Sequence, residues 1–424
     1  MKRITLTEEQ QQALELLESG VNVFLTGKAG TGKSTVLAEF RRRTSKRAVY
    51  VAPTGIAALN IKGQTIHSCF QIKPGVMSDI GPLTSRKKFD LLSSLEVIVI
   101  DEISMVRSDL LTAIDVRMRQ VAKCVDSGKP FGGRQVIVIG DFCQLPPVVE
   151  HSNAYQYLCM RYGGIFAFQS AIWEEARFHS IALEQVHRQA DDRFISILNE
   201  LREGRSEAIA ELNNAVSISQ PCSDNESIRV TPYRATADAI NTEELSKLPE
   251  PSKKYTGELV GRFTKDLPVD QYLELRIGAR VMFAANRYDK DGNAIYCNGE
   301  LGVVEALSSD SVTVKRDDGR RLIISAYEWE MYEYDYSGTK VEAKVVGTYR
   351  QLPLRLAWAV TIHKSQGCTF DSMILDLGRG CFAEGQLYTA LSRVRSLAGL
   401  SLTREIKPSD LKVDSAVVKL YRQN

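Results

Sequence analysis

The stretch Val21–Phe40, VNVFLTGKAGTGKSTVLAEF, changes character twice along its length. Its apolar beginning predicts a buried strand over 21–25, glycines follow, and a helical pattern then runs from Ser34 to about Arg43. The segment Gly27–Ser34 matches G-x-x-x-x-G-K-S and has the strand before it and the helix after it that a phosphate loop requires. A chance glycine-rich loop would not have this context, so the stretch predicts a nucleotide-binding α/β protein.

The residue types in this loop suit phosphate chemistry. Glycines let backbone N–H groups close around an anion at a helix N-terminus, where the helix dipole favours negative charge. Lys33 is expected to reach the β- and γ-phosphates of ATP, and the Ser34 hydroxyl is expected to hold Mg²⁺. The predicted nucleotide-binding residues of the loop are Gly27, Ala29, Gly30, Thr31, Gly32, Lys33, Ser34 and Thr35.

Three more apolar runs, Ala48–Ala52, Val97–Ile100 and Val136–Ile139, predict further strands that alternate with helical patterns. Each is followed by a polar cluster, at the end where a parallel sheet binds its ligands. After the second run come Asp101 and Glu102. In a phosphate-loop enzyme the first acid holds Mg²⁺ and the second orients or deprotonates water. The sequence therefore predicts that the protein binds and hydrolyses ATP.

The second half of the chain predicts another α/β region with an insertion. Ile228–Thr231 and Met373–Leu377 have the character of buried strands. Between them, from about 262 to 349, short strand-like runs such as Ala279–Phe283 and Ser311–Lys315 are separated by Asn-Gly and Asp-Gly turn signals. This pattern predicts a small all-β module inserted into the second α/β domain.

Composition excludes several protein classes. Of the 424 residues, 44% are hydrophobic and 25% are charged, as in ordinary globular proteins. The formal net charge of +2 leaves nucleic acid open as a partner. The eight cysteines and five histidines form no C-x-x-C pair and no ligand cluster, which predicts reduced thiols and no cysteine–histidine metal site. No apolar run approaches about 18 residues, so we expect a soluble cytoplasmic protein without a membrane segment.

The chain also contains seven motifs in a fixed order. They are APTGIAALNIKGQTIHSCF (52–70), DEISM (101–105), KPFGGRQ (129–135), GDFCQLPPV (140–148), EQVHRQ (184–189), VTIHKSQG (360–367) and LYTALSRVRS (387–396). Together they closely resemble the Pif family of superfamily 1 DNA helicases, relatives of the RecD-type enzymes. The stretch 109–135 resembles that family's signature segment.

The resemblance implies an α/β fold of two RecA-like parallel-sheet domains with ATP between them. The first would span 1–185 and carry a small wedge insertion around 71–85. The second would comprise 186–261 and 350–424, with an SH3-like β-barrel inserted at 262–349. Because the chain begins close to Gln10 and ends soon after Arg393, we expect a helicase core of a bacterial or phage type.

The resemblance also assigns residues around ATP. Arg188 and Arg393 match the two arginines that the second domain presses onto the γ-phosphate, where a cation is needed as negative charge develops. The other matches are Gln10 as the adenine-reading glutamine, Glu102 as the catalytic base, Gln144 as the γ-phosphate sensor, and Gly367 as a backbone position close to the γ-phosphate.

Single-stranded DNA would cross both domains. The implied contacts are Thr54, Gly55, His67 and Phe70 on the first domain, Thr231, His363, Lys364 and Ser365 on the second, and Asn286 and Arg287 in the β-module. Cys69 stands where much of the family has an aromatic residue, which leaves Phe70 as the candidate for base stacking. Which of the three polar residues at 363–365 touches DNA stays open.

Translocation would run 5′ to 3′ with ATP and Mg²⁺ as cofactors, on single-stranded and forked DNA, and the active form would be a monomer. G-quadruplex DNA and RNA–DNA hybrids are further candidate substrates, with roles in replication, repair, recombination or telomere maintenance. The sequence leaves three alternatives: an ATP-dependent DNA-binding switch or loader, an RNA or hybrid helicase, and a small-molecule kinase. Two arginines supplied in the same chain argue against the loader, and the second α/β domain argues against the kinase.

Overall fold

The structure is a computed structural model that describes residues 6–76, 79–149, 151–186, 188–189, 191–218 and 227–423. Within these residues, six strands of the first part of the chain form one parallel sheet in the order β3-β2-β4-β5-β1-β6. The strands are β1 (Val23–Gly27), β2 (Ala48–Ala52), β3 (Gln64–Thr65), β4 (Val97–Ile100), β5 (Gln135–Ile139) and β6 (His179–Leu183). The continuous apolar runs of β1, β4 and β5 are buried, as strands covered on both faces require.

Helices and short 3₁₀ turns connect these strands. The helices are α1 (Glu8–Glu18), α2 (Lys33–Arg43), α3 (Gly55–Asn60), α4 (Ile66–Phe70), α5 (Arg86–Ser94), α6 (Ser108–Gln120), α7 (Ser152–Tyr162) and α8 (Ala171–Ala176). The 3₁₀ turns are Ile103–Met105, Cys124–Asp126, Pro130–Gly133 and Ala167–Gln169. Helix α2 begins directly after the glycine-rich loop, so its N-terminus faces the carboxyl ends of the strands.

The chain then enters a second α/β region. Its first elements are α9 (Asp192–Arg202), α10 (Glu207–Ala215), β7 (Ser217–Ile218), β8 (Ile228–Thr231) and α11 (Arg234–Lys247). Helix α9 buries Phe194, Ile197, Leu198 and Leu201, a helical spacing that presents one apolar face to the core. Asp191 caps this helix by accepting the Phe194 N–H at 3.1 Å.

An antiparallel β-module follows. Its strands are β9 (Lys253–Thr256), β10 (Glu258–Gly261), β11 (Tyr272–Leu275), β12 (Arg280–Phe283), β13 (Arg287–Tyr288), β14 (Ala294–Tyr296), β15 (Leu301–Leu307), β16 (Ser311–Arg316), β17 (Arg321–Ser325), β18 (Tyr327–Tyr336), β19 (Val341–Gln351) and β20 (Leu354–Leu356). The largest sheet has the order β17-β16-β15-β12-β20. The module has a hydrophobic core of its own, which includes Phe283, Trp329 and Tyr349.

The chain returns to the second α/β region after the module. The remaining elements are β21 (Ala359–Thr361), β22 (Met373–Leu375), α12 (Gln386–Leu391), β23 (Leu400–Leu402), α13 (Ser415–Gln423) and the 3₁₀ turns Leu397–Gly399 and Pro408–Asp410. They complete a second parallel sheet in the order β21-β8-β22-β23-β7. One continuous hydrophobic core spans both parallel sheets, and Gln366 of the second region donates to Glu102, just after the carboxyl end of β4.

The long hairpin of β18 and β19 reaches back to the first sheet. The Tyr334 hydroxyl accepts the N–H of Tyr50 at 3.0 Å, and the Tyr334 N–H donates to the Gln64 side chain at 3.3 Å. Lys87 and Lys88 form ion pairs with acids of the hairpin at 3.3 and 3.2 Å. The β-module is therefore in contact with the first α/β region.

The sequence-based fold class is confirmed, because two parallel α/β sheets and a separate all-β region are present. The domain boundaries stay a prediction, and the β-strands of the module extend beyond 262–349, from Lys253 to Leu356. Among the described residues, no helix is both long and apolar enough to cross a membrane.

Candidate active site

The phosphate loop lies between β1 and α2 and is closed by its own lysine. The Lys33 ammonium donates to the carbonyls of Gly27 at 2.7 Å and Lys28 at 3.0 Å. Burial lowers the pKa of Lys33, although Asp141, Glu102 and Asp101 oppose that shift. A buried cation surrounded by loop carbonyls and nearby carboxylates is ready to exchange those oxygens for phosphate oxygens.

Gly30 marks where the second α/β region touches this loop. Its φ is +83°, and a Cβ at this position would lie 2.6 Å from the Arg188 Cβ. Arg188 donates to the Ser392 carbonyl at 3.0 Å, and burial lowers its pKa to about 9. The loop therefore needs glycine here both for its backbone conformation and for the close approach of an arginine.

Gln10 lies against the other side of the same loop. Its backbone N–H and side chain form a capping box with Thr7 at the start of α1. The Gln10 amide donates to the Thr31 carbonyl at 3.3 Å, and a Cβ on Gly32 would come within 2.4 Å of that amide nitrogen. The cap fixes the predicted adenine-reading side chain beside the phosphate loop.

Asp101 and Glu102 follow β4, as the sequence predicts. Glu102 adopts a left-handed conformation with φ 52° and ψ 48°, which is uncommon for a residue with a side chain and is typical of functional sites. Its carboxylate accepts the Gln366 amide at 3.0 Å, so a residue of the VTIHKSQG motif reaches across to the predicted catalytic base. Burial raises the pKa of both acids.

The donor chemistry here fits Mg²⁺. A serine hydroxyl and carboxylate oxygens are the hard ligands that this ion prefers, and Ser34 at the start of α2 and Asp101 after β4 supply them. Burial disfavours the charged forms of both acids and so raises their pKa values, and a bound cation would favour those charged forms. In the described ranges, this site included, no group of three or more histidine, cysteine, aspartate or glutamate side chains could hold a metal ion.

Arg393 approaches from α12 and is almost completely buried, with 2% of its surface exposed. It donates to the Thr389 carbonyl at 2.8 Å and to the Ser392 hydroxyl at 2.7 Å. Burial lowers the pKa of Arg393, while Glu102 and Asp141 are among the groups that oppose the shift. The two arginines predicted to meet the γ-phosphate thus lie with the acids and the phosphate loop in one site.

Gln144 is held at the edge of this site by Asp141. The Gln144 N–H donates to the Asp141 carbonyl at 2.9 Å, and its amide approaches the Asp141 carboxylate at 3.4 Å. Gly367, with φ +81°, is exposed and has open space where a Cβ would lie. These placements agree with the predicted roles, which remain predictions.

Four predicted DNA contacts, Gly55, Phe70, Thr231 and Ser365, are buried in this conformation, and their roles stay predictions. Phe70 has no exposed surface because it packs in the main core, so it has no free face for a base. Thr231 is 1% exposed at the end of β8. Ser365 is fully buried and its hydroxyl donates to the Ile362 carbonyl at 2.8 Å, so it shapes the turn.

The two residues before Ser365 are better placed to contact single-stranded DNA. His363 and Lys364 are both exposed, which favours them over the buried Ser365 as DNA contacts. Asn286 and Arg287 are exposed on the β-module, although the Asn286 side chain accepts the Asn298 N–H at 2.7 Å.

On the first sheet, the Thr54 hydroxyl caps α3 by accepting the Ala57 N–H. Gly55 is covered by Thr264, because a Cβ there would lie 2.3 Å from the Thr264 hydroxyl. His67 is half-buried, burial lowers its pKa, and its Nε2 has no hydrogen-bond partner among the residues that the structure describes.

The predicted wedge, 71–85, is tied to the signature segment. Residues 77 and 78 lie outside the described part of this loop. Arg117 of α6 donates to the carbonyls of Phe70, Gly81 and Gln71 at 3.0, 3.0 and 3.3 Å. One buried guanidinium thus connects both ends of the loop, a role that its position in the sequence did not reveal.

Other contacts were also missed. Tyr388 of α12 places its hydroxyl 3.5 Å from the Ala29 N–H of the phosphate loop. Gln189 donates to the carbonyls of Ser392 and Val394 at 3.1 Å, which joins the EQVHRQ and LYTALSRVRS motifs. Both residues lie inside the quoted motifs, which could have marked them as candidate site residues. Their hydrogen-bond partners could not be predicted, because these depend on how the two sheets pack.

Comparison with known proteins gives consistent matches. A family model described as PIF1-like helicase matches residues 5–211. The ATP-dependent DNA helicase Pif1 of Bdellovibrio bacteriovorus is 33% identical, over 99% of this chain and 92% of that protein. The crystal structure of Bacteroides sp Pif1 in complex with ADP-AlF4 is 37% identical over 99% of this chain and 97% of that one, with a TM-score of 0.90. Bacteroides Pif1 bound to ssDNA has the same identity and coverage but a TM-score of 0.68.

Proposed function

This chain belongs to the PIF1-like helicase family, and from that premise we propose that it is an ATP-dependent DNA helicase that moves 5′ to 3′ on single-stranded DNA and unwinds duplexes. The observation that carries the proposal is the convergence of both α/β regions on one nucleotide site. Arg188 packs on Gly30 of the phosphate loop, and Gln366 donates to Glu102. Hydrolysis at such a site changes contacts between two bodies, which is what a motor needs.

Different residues of the chain take different roles in ATP hydrolysis. Lys33 exchanges its loop carbonyls for the β- and γ-phosphate oxygens, and Glu102 accepts a proton from the attacking water. Arg188 and Arg393 meet the charge that develops on the γ-phosphate. Mg²⁺, held by Ser34 and Asp101, would neutralise phosphate charge.

DNA binding requires the β-module to move in this proposal. Thr264 of the module covers Gly55, so a strand that runs from Thr54 to His363 and Lys364 must displace it. The lower TM-score to the ssDNA-bound Bacteroides structure, 0.68 against 0.90 at equal identity, supports such a rearrangement. The exposed His363 and Lys364 are then the main contacts on the second sheet.

Magnitudes favour a motor over a passive binder. Separating one duplex step costs about 1.4 kcal/mol, and base stacking on protein contributes roughly 1–3 kcal/mol per base. Binding alone could hold melted bases in place but could not produce steady movement in one direction. ATP hydrolysis supplies that direction.

The decisive test is strand separation on duplexes with a single-stranded tail at one end. With ATP and Mg²⁺, the protein should unwind a duplex with a 5′ tail and leave a duplex with a 3′ tail intact. Lys33→Ala is the control, because it should lose ATP hydrolysis and unwinding while single-strand binding persists. Unwinding from the 3′ tail alone would refute the polarity, and binding without any strand separation would favour the loader.

We also propose that one copy is the active unit, since both arginines come from the chain that carries the phosphate loop. Sedimentation on a duplex with a short 5′ tail should give one protein per DNA at unwinding-competent concentrations, and a requirement for two copies would contradict this.

The family resemblance extends the proposal to forked DNA, G-quadruplex DNA and RNA–DNA hybrids as substrates, to a cytoplasmic location, and to replication, repair, recombination or telomere maintenance.

A further inference from the structure

Asp141 is the centre of a buried junction between three parts of the chain. Its side chain has no exposed surface and accepts Arg202, the last residue of α9, at 2.9 Å. It also accepts the hydroxyl of Tyr421 from α13 at 3.2 Å. The Arg202 guanidinium lies over the Tyr421 ring, 4.4 Å from its centre. The end of β5, the second α/β region and the last helix therefore meet at one carboxylate.

The Tyr421 hydroxyl joins the two segments that reach ATP. It lies 2.9 Å from the Thr26 hydroxyl, one residue before the phosphate loop begins at Gly27. It also accepts the Phe142 N–H at 3.1 Å, next to Asp141. With Thr26 and Phe142 donating, the hydroxyl proton is free to point to the Asp141 carboxylate. A single oxygen thus fixes the spacing between the phosphate loop and the loop that carries Gln144.

The charge of the buried Asp141 carboxylate depends on two nearby cations. Burial by itself would raise the pKa of Asp141, but Arg202 and then Lys33 hold it below its ordinary value. Asp141 therefore interacts electrostatically with one cation from the second α/β region and one from the phosphate loop. Removing either partner of a buried ion pair leaves an uncompensated charge, so the position of α9 is coupled to this loop.

We propose that Arg202 and Tyr421 are positioning residues that hold the Asp141–Gln144 loop against the phosphate loop and transmit the state of the γ-phosphate to the second α/β region. The proposal rests on the proposed function and on the role of γ-phosphate sensor that the family resemblance implies for Gln144. It gives the C-terminal helix, which none of the quoted motifs includes, a direct part in coupling hydrolysis to movement.

Tyr421→Phe tests this by deleting one hydroxyl while keeping the ring over Arg202. A hydrogen bond to a charged group is lost, so we expect the DNA-stimulated kcat to fall about five- to tenfold, with a similar loss in unwinding rate. The KM for ATP, the affinity for single-stranded DNA and the melting temperature should stay close to those of the unchanged protein. The matched control is Tyr255→Phe, which deletes a hydroxyl bonded to the Ser308 carbonyl inside the β-module.

Substitutions of Arg202 provide a second, independent test of the proposal. Arg202→Lys keeps a cation for Asp141 and should retain more activity than Arg202→Gln, which leaves the carboxylate unpaired. Equal activity of the Tyr421→Phe and Tyr255→Phe proteins would overturn the proposal. So would a loss of melting temperature and strand binding in proportion to kcat, since that indicates a purely structural role. If the unchanged protein unwinds no tailed duplex, the proposed function fails instead.

Discussion

Arg393→Ala is expected to lower the DNA-stimulated kcat for ATP hydrolysis by about 10³–10⁵-fold, the range for loss of an arginine finger. Unwinding should disappear with it, while single-stranded DNA still binds. The physical reason is that Arg393 is buried beside the acids of the site and brings a cation to them from the second α/β region. Steady-state hydrolysis with and without DNA measures the effect.

Two variants separate catalysis from folding. Arg393→Lys keeps the charge but loses the planar fork, so it should remain severely impaired while its melting temperature stays near that of the unchanged protein. Arg395→Ala, two residues further along the same motif, removes an exposed ion pair with Asp371. Such pairs contribute about 0–1 kcal/mol, so Arg395→Ala should retain activity. Equal loss in the Arg393 and Arg395 variants would contradict a specific role for Arg393.

The phosphate loop could be predicted because its chemistry is local. Strand, glycines, lysine and helix follow each other in one stretch, and the structure places β1 and α2 within two residues of the expected bounds. The Asp-Glu pair was predictable for the same reason, since it directly follows β4. Family membership was also predicted correctly from the order of the motifs.

Contacts between distant segments were not predictable in this way. Glu102 and Gln366 are 264 positions apart, and their hydrogen bond exists only because the two parallel sheets pack together. The junction of Asp141, Arg202 and Tyr421 is likewise a product of packing, as is the anchoring of the wedge by Arg117. Sequence gives the residue types at such places but not their partners.

The burial of Phe70 was predictable from the sequence. Helix α4 buries Ile66, Cys69 and Phe70, and the spacing i, i+3, i+4 is that of an apolar helix face. This periodicity weighs against the base-stacking role that the family motif implies for Phe70. Ser365 offered no such signal, because a serine hydroxyl bonded to a carbonyl three residues earlier looks the same in sequence as one that faces solvent.

Glu102→Gln is expected to reduce the kcat for ATP hydrolysis by about 10²–10⁴-fold, the usual contribution of a general base. ATP affinity should be unchanged or tighter, because the variant removes a negative charge near the phosphates while keeping the size of the side chain. DNA binding should persist, and unwinding should be lost. Rapid-quench hydrolysis together with equilibrium binding of a fluorescent ATP analogue separates the chemical step from binding.

The contact with Gln366 makes it possible to distinguish a general-base role of Glu102 from a purely structural one. Glu102 accepts the Gln366 amide at 3.0 Å, and a glutamine at position 102 can still accept that bond through its carbonyl oxygen. If Glu102 acts as the base, Gln366→Ala breaks the contact but keeps the carboxylate, so it should retain far more hydrolysis than Glu102→Gln. If Glu102 only holds the second α/β region in place, Glu102→Gln should keep most of the hydrolysis and Gln366→Ala should lose it. The left-handed backbone at Glu102 favours the first outcome, because strain of this kind persists where a side chain must be aimed at a reacting group.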